Sequence, residues 1–95
     1  MFRQGDLLIK PVDNIPGDAK KVASGIILYG ESTGHKHRLV GGDVMTLGES
    51  IFLNVGSKAK IMHEEHKPIS LTKGKYVVIR QREYQSKDMT KLVID

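Results

Sequence analysis

The chain of 95 residues contains no cysteine, and this absence removes several kinds of chemistry at once. Disulfide bonds, cysteine-ligated zinc sites and thiol catalysis are all excluded. The N-terminus lacks the charged-then-apolar layout of a signal peptide, and no apolar run approaches the length that crosses a bilayer. Together with a cysteine-free composition that fits a reducing interior, these absences predict a soluble, cytoplasmic protein without a membrane partner.

Aromatic residues are scarce, with three tyrosines and two phenylalanines in the whole chain. Modules that bind nucleic acid more often combine aromatic stacking platforms with a dense basic stripe. The net charge of +4 arises instead from lysines and arginines that alternate along the chain with acidic residues. The favoured interpretation is a solvated surface of mixed charge, and nucleic acid is not the expected partner.

Three familiar catalytic or cofactor motifs are also missing from the sequence. No serine lies in a nucleophile-elbow motif, and neither a phosphate-binding loop nor a dinucleotide-binding fingerprint occurs. The histidines therefore become the main guide to function.

The apolar residues lack a helical period, and many of them are β-branched, which is typical of strands. The predicted strands are 6–12, 22–31, 37–40, 44–47, 51–55, 59–63, 76–84 and 90–95. Turns are predicted at 13–18, 41–43, 56–57 and 72–75, of which 41–43 and 56–57 read as hairpins, and a short helical turn at 18–21 is an alternative. This pattern predicts an all-β fold, with residues 1–95 forming a single domain built as a small barrel or jelly-roll-like sandwich.

All four histidines lie in two short clusters, one containing His35 and His37 and the other containing His63 and His66. On a strand, side chains two residues apart point to the same face, about 6–7 Å from each other. His35 and His37 could therefore bind one divalent transition-metal ion. The alternative is that this face is turned to solvent and the pair is simply exposed.

The second cluster needs a turn before both of its histidines can contribute. His63 and His66 are three residues apart and would face opposite ways on a straight strand, but a bend before Pro68 would bring them together. A site formed by the two clusters could take an oxygen ligand from Glu49, Glu64 or Glu65. The alternative is a polar hairpin end, in which Glu64 or Glu65 forms an ion pair with Arg38.

A third group of candidates lies on the predicted strand 76–84. Alternation places Tyr76, Arg80, Arg82 and Tyr84 on one face, where two arginines between tyrosines could bind a carboxylate or phosphate. With Arg38, these residues would form a site for a small anionic ligand. The alternative is a strand that runs from the core to the rim, with its arginines in solvent.

Segments 33–38 (TGHKHR), 63–69 (HEEHKPI) and 78–84 (VIRQREY) resemble those of a small uncharacterised all-β family from bacterial and phage genomes. The His-x-His pair followed by a later histidine also resembles the cupins, a superfamily of small β-barrels. That resemblance implies a metal held by His35, His37 and either His63 or His66. The glutamate that cupins place shortly after the pair is absent here, which argues against their standard metal set and their dioxygenase or isomerase chemistry.

Three functions follow from these observations. The leading hypothesis is a binding protein whose metal-dependent or histidine-lined site takes a small anionic ligand, in a homo-oligomer that stabilises so short a chain. The second is a metal-dependent enzyme of cupin-like type, with Glu64 or Glu65 as general base. The third is a phage or bacterial structural protein that forms homo-oligomers.

Overall fold

The computed structural model describes residues 1–29 and 36–80, and this part of the chain consists of strands and turns. The strands are β1 (Phe2–Gln4), β2 (Leu7–Val12), β3 (Lys20–Val22), β4 (Ile26–Tyr29), β5 (Lys36–Val40), β6 (Asp43–Leu47), β7 (Ser50–Met62) and β8 (Ile69–Arg80). The predicted all-β fold class is confirmed. Within the two described ranges, no helix is long and apolar enough to cross a membrane.

All eight strands belong to one antiparallel sheet. Its main order is β1-β2-β8-β7-β5-β4, while β6 pairs with β7 and β3 pairs with β6. The sheet is not closed into a barrel, since no backbone ladder between described strands joins β1 to β4 or β5. The architecture is therefore a single open sheet.

The centre of the sheet is a long hairpin formed by β7 and β8. Val55 pairs with Gly74 and Lys58 pairs with Thr72, so two residues of β7 face one of β8, which defines a β-bulge. The predicted hairpin at 56–57 and the predicted turn at 72–75 are therefore wrong. A bulge and a turn look alike in sequence because both place glycine and polar residues between two apolar segments.

The predicted hairpin at 41–43 is also wrong, because β5 and β6 do not pair with each other. Val40 of β5 pairs with Lys60 in the second half of β7, whereas Asp43 of β6 pairs with Asn54 in its first half. The two strands thus follow one another along the same side of β7, with a bend between them. Strands β4 and β3 repeat this arrangement, since β4 pairs with β5 and β3 with β6.

These bends fold the sheet, and contacts at its ends show the result. Leu7 pairs with Gln4 and with Arg80, at the C-terminal end of β8. Gln4 also contacts the backbone of Ile61, which pairs with Ile69 at the N-terminal end of the same strand. The two ends of the β7–β8 hairpin therefore approach each other, as the bulge and the glycine bends allow.

The hydrophobic core is enclosed by the folded sheet. Strand alternation supplies it, since buried positions alternate with more exposed ones along much of β2, β5, β7 and β8. The buried apolar residues are Leu7, Ile9, Ile27, Leu39, Val44, Leu53, Val55, Ala59, Ile61, Leu71, Tyr76 and Val78. They come from β2, β4, β5, β6, β7 and β8, so a single core is shared by both halves of the sheet.

The N-terminal region differs from its predicted form. The strand predicted at 22–31 is divided into β3 and β4 by a bend at Gly25, and β1 was not predicted. The Ala19 N–H donates to the Pro16 carbonyl at 3.1 Å, so Gly17 and Asp18 occupy the turn centre and no helical turn forms at 18–21. The predicted strand end at 81–84 and the strand at 90–95 lie outside the described residues.

Gly41 fixes the bend between β5 and β6, and its replacement tests the folded sheet. Its φ is +96°, and a Cβ atom there would lie 2.7 Å from the Lys58 carbonyl oxygen. Gly41→Ala should therefore lower the free energy of unfolding by about 2–3 kcal/mol, through strain and a backbone clash. Gly48→Ala is the matched control, since Gly48 has a φ of +60° and no neighbour within 4 Å, and it should cost only about 1 kcal/mol. If urea denaturation gave the same loss of unfolding free energy for both variants, the close packing at Gly41 would be contradicted.

Candidate functional site

Three segments that are distant in sequence meet where the ends of the folded sheet approach each other. The first is the β7–β8 loop, residues 63–68. The second is the part of β5 that contains His37, whose neighbour Arg38 pairs with Met62 at the end of β7. The third is the two-residue turn between β1 and β2. Gly5 has a φ of +59° at the first central position of this turn, as a type II′ hairpin requires.

Gln4 joins these segments through three hydrogen bonds. Its side-chain Nε2 donates to the backbone carbonyls of Ile61 at 2.9 Å and Lys67 at 2.8 Å. Its Oε1 lies 2.9 Å from Nδ1 of His37. Gln4 and His37 are 2% and 3% exposed, so their side chains form a buried polar network. Both polar atoms of the Gln4 amide group, Nε2 and Oε1, have hydrogen-bond partners in it.

The network determines which nitrogen of neutral His37 carries the proton. Carbonyl oxygens only accept, so the bonds to Ile61 and Lys67 identify the Gln4 amide nitrogen and leave its oxygen for His37. Nδ1 of His37 must then be the donor. The lone pair of the neutral ring therefore lies on Nε2, which is 3.7 Å from Oδ1 of Asp6.

Burial favours the neutral form of His37. Removal of the ring from water lowers the pKa of His37 to about 4, and the nearby His63 and His66 act in the same direction. The carboxylates of Asp6 and Glu64 oppose this effect without cancelling it. At neutral pH, His37 thus presents an unprotonated Nε2.

The three described histidines form a row. Ring centroids are 4.4 Å apart between His37 and His63 and 4.5 Å apart between His63 and His66. The chain bends after His63, where the Glu65 N–H donates to His63 Nδ1 at 3.0 Å. This bend brings His63 and His66 together, although their spacing would separate them on a straight strand.

The turn and the loop pack closely around this row. A Cβ atom on Gly5 would lie 2.9 Å from Nε2 of His66 and 3.6 Å from Cε1 of His37. Glycine therefore serves two purposes here, since it adopts the turn conformation and leaves space for both rings. On the opposite side, Glu64 Oε1 accepts a hydrogen bond of 3.0 Å from the Lys36 N–H, which ties the loop to β5.

A cavity of about 240 Å³ opens beside the row. It is lined by Lys36, Arg38, Met62, His63 and Glu64. Two cationic side chains and one carboxylate thus border it, next to an imidazole. The space is large enough for a small anion or a few water molecules.

The other predicted site residues lie in the core, on the β2 side of β8, in a turn, or outside the described ranges. Tyr76 is 5% exposed and its hydroxyl donates to the Thr72 carbonyl at 2.9 Å, so it is part of the core. Arg80 pairs with Leu7 on the β2 side, and Glu49 lies in the turn at the other end of β7. His35, Arg82 and Tyr84 are outside the described residues, and their binding roles stay predictions.

Sequence reasoning missed Gln4, Gly5 and Asp6. A signal was present, because a Gly-Asp pair before an apolar segment is typical of a two-residue hairpin turn. The role of Gln4 had no such signal, since its partners are 33 to 63 residues away in the sequence.

The donor atoms for a metal ion are only partly assembled. Among the described residues, no three His, Asp or Glu side chains already surround one metal position. His37 Nε2 is unprotonated and faces Asp6. His66 Nε2 lies close to Gly5, the residue before Asp6. Asp6 lies in the β1–β2 turn and His66 in the β7–β8 loop, so modest rotations of their side chains cost little free energy.

Fold and site together define an all-β domain with a histidine row at the seam of a folded, open sheet. The chain belongs to the family described as a domain of unknown function (DUF8820), whose match covers residues 3–81. This confirms the prediction of an uncharacterised family, whereas the cupin resemblance stays a prediction. No curated protein and no solved structure gives a significant match.

Removal of the Gln4 amide should destabilise the protein. Gln4→Ala leaves the Ile61 and Lys67 carbonyls and the buried His37 Nδ1–H without this partner, which should cost about 2–4 kcal/mol of unfolding free energy. Arg3→Ala, at an exposed neighbour on the same strand, should cost less than about 1 kcal/mol. Nitrogen chemical shifts in the wild type should show His37 protonated at Nδ1, and a proton on Nε2 instead would contradict the assigned network.

The lowered pKa of His37 predicts how stability depends on pH in buffer that contains a chelator. As the pH falls from 6.5 to about 4, the unfolded chain gains a proton on His37 that the folded chain does not, so stability decreases. The loss should reach at most about 3 kcal/mol, and it is absent above pH 6.5. Urea denaturation across this range should give a steeper dependence for the wild type than for His37→Gln, and parallel curves would contradict it.

Proposed function

We propose that this protein binds a divalent transition-metal ion through His37, His66 and Asp6, and that a small anionic ligand completes the site. The observation that carries the proposal is the hydrogen bond between Gln4 Oε1 and His37 Nδ1. Metal-bound histidines commonly donate their second ring nitrogen to an oxygen acceptor in this way, which fixes the tautomer and the direction of the lone pair.

The position of Gly5 supports His66 as the second nitrogen ligand. A Cβ atom on Gly5 would meet both Nε2 of His66 and Cε1 of His37, the carbon next to Nε2 of that ring, so the two atoms border the same small space. Asp6 follows Gly5 directly and supplies an oxygen 3.7 Å from His37 Nε2. Two imidazoles and one carboxylate with an open fourth position are a common set for zinc and related ions.

His63 is a weaker candidate for the ion. Its Nδ1 accepts the Glu65 N–H, so a neutral His63 carries its proton on Nε2 and has no free lone pair. It would join the ion only after this hydrogen bond breaks. Its ring also lines the 240 Å³ cavity with Lys36 and Arg38, where it would contact the anionic ligand.

A metal-dependent enzyme is the second candidate, and the position of Glu64 favours it. Its carboxylate lines the same cavity as His63 and could act as general base toward a water on the ion. If so, Glu64→Gln would abolish turnover while the protein retained its metal. Glu65, the other predicted base, provides the comparison variant.

The metal content of protein purified without a histidine tag tests the main proposal. Mass spectrometry should find close to one transition-metal ion per chain, and zinc titration of the metal-free protein should give a single site. Asp6→Asn and His66→Ala should each weaken zinc binding at least about tenfold, while Asp13→Asn, at an exposed carboxylate, should not. His35→Ala belongs in the same series, because the sequence predicts His35 as a ligand.

Two results would overturn the metal proposal. One is a wild-type protein that is metal-free and fails to bind zinc, cobalt, nickel or manganese. The other is zinc binding that neither variant changes, since the ion would then lie elsewhere. Circular dichroism must show that each variant folds, because a misfolded variant would lose metal for an unrelated reason.

A further inference from the structure

The three strands β5, β7 and β8 carry charge of one sign only. They contain no aspartate or glutamate, although acidic residues occur close by in the loop between β7 and β8. Their basic residues are Lys36, Arg38, Lys58, Lys60, Lys73, Lys75 and Arg80. Along the sequence the charges are mixed, but strand pairing places these basic residues on three neighbouring strands, in the order β8-β7-β5.

A groove of about 620 Å³ runs over this part of the sheet. Its lining consists of Arg38, Val40, Lys58, Ala59, Lys60, Met62, Ser70, Leu71 and Thr72. The ladder accounts for the set, because Val40 pairs with Lys60 and Lys58 with Thr72. A volume of this size is typical of sites for small organic ligands.

The lining of the groove combines apolar side chains with the cationic side chains that flank them. Val40 is 51% exposed, and Met62 lines the groove together with it. The aliphatic stems of Lys58 and Lys60 add further apolar surface while their charged ends reach solvent. Among the described residues that line the groove there is no carboxylate, so no acidic side chain of this part of the lining balances the positive charges.

Arg38 and Met62 also line the smaller cavity beside the histidines. The groove and the cavity are therefore adjacent, and Arg38 stands at their border. A guanidinium group in this position can bind an oxyanion through two parallel hydrogen bonds. A chain attached to that oxyanion would extend along the apolar part of the groove.

We infer that the groove binds an amphipathic anion, namely an aliphatic chain that ends in a carboxylate or a phosphate. The oxyanion contacts Arg38, and the chain lies on Val40 and Met62 between the lysine stems. Repulsion between like charges disfavours a second copy of this basic face as the occupant. The described part of the lining has no aromatic ring on which nucleic-acid bases would stack, and a phosphate backbone would make no favourable contact with the apolar strip. The inference goes beyond the metal site and does not depend on it.

Titration with decanoate, followed by amide chemical shifts in buffer that contains a chelator, tests this inference. Decanoate below its micellar concentration should shift the amides of β5, β7 and β8 and bind at least tenfold more tightly than decanol. Decyl phosphate in a parallel titration distinguishes the two head groups. Decyltrimethylammonium, which has the same chain and the opposite charge, should not bind.

Charge reversal of lysines in the groove distinguishes binding in the groove from binding at basic residues elsewhere. The double variant Lys58→Glu/Lys60→Glu should lose at least tenfold in affinity for decanoate, while Lys10→Glu/Lys20→Glu, at exposed lysines of β2 and β3, should keep the wild-type affinity. Val40→Asp, which places a carboxylate in the apolar strip, should also abolish binding. Each variant changes an exposed side chain, so folding should survive.

Three outcomes would overturn the inference. They are decanoate binding no tighter than decanol, equal losses in the two double variants, and a preference for single-stranded DNA or anionic vesicles over the soluble ligands. Because the chelator removes any transition metal, failure of the metal site would leave decanoate binding intact. Failure of the groove would likewise leave zinc binding unchanged, so the two proposals are tested separately.

Discussion

The folding of one open sheet along its glycine bends is the constraint on which the rest of this structure depends. Gly25, Gly41 and the bulge after Val55 interrupt neighbouring strands at matching places. Because all the strands bend together, one sheet encloses a core that would otherwise need a second layer. The same bend carries β1 across to the β7–β8 loop, and the histidine row exists only because of that approach.

Gln4 and His37 show how hydrogen bonds between buried side chains can fix the tautomer and orientation of a histidine. Leaving either residue without its partner inside the protein would be costly, so the fold holds both in a single arrangement. The arrangement turns Nε2 of His37 toward Asp6 and the loop. The stability of this region and the tautomer of His37 therefore have the same physical origin, since the buried Gln4 side chain determines which nitrogen of the ring is unprotonated.

Strand alternation also organises the exterior. Inward positions of β5 supply His37 and Leu39, while outward positions supply Arg38 and Val40. A single five-residue strand therefore serves the histidine row on one face and the groove on the other. The groove and the smaller cavity are adjacent because Arg38 and Met62, which pair with each other, line both of them.

The sequence by itself determined the all-β class, most strand positions and the two histidine clusters, because these depend on local periodicity and on residue type. It did not distinguish a hairpin from a bulge at Gly56 or a hairpin from a bend at Gly41, since the local signals are the same and only the pairing partner differs. Gln4 and Asp6 became part of the site through contacts with residues at least 31 positions away. Only the tertiary structure decided these points, because the free energy that fixes them comes from long-range packing and hydrogen bonding.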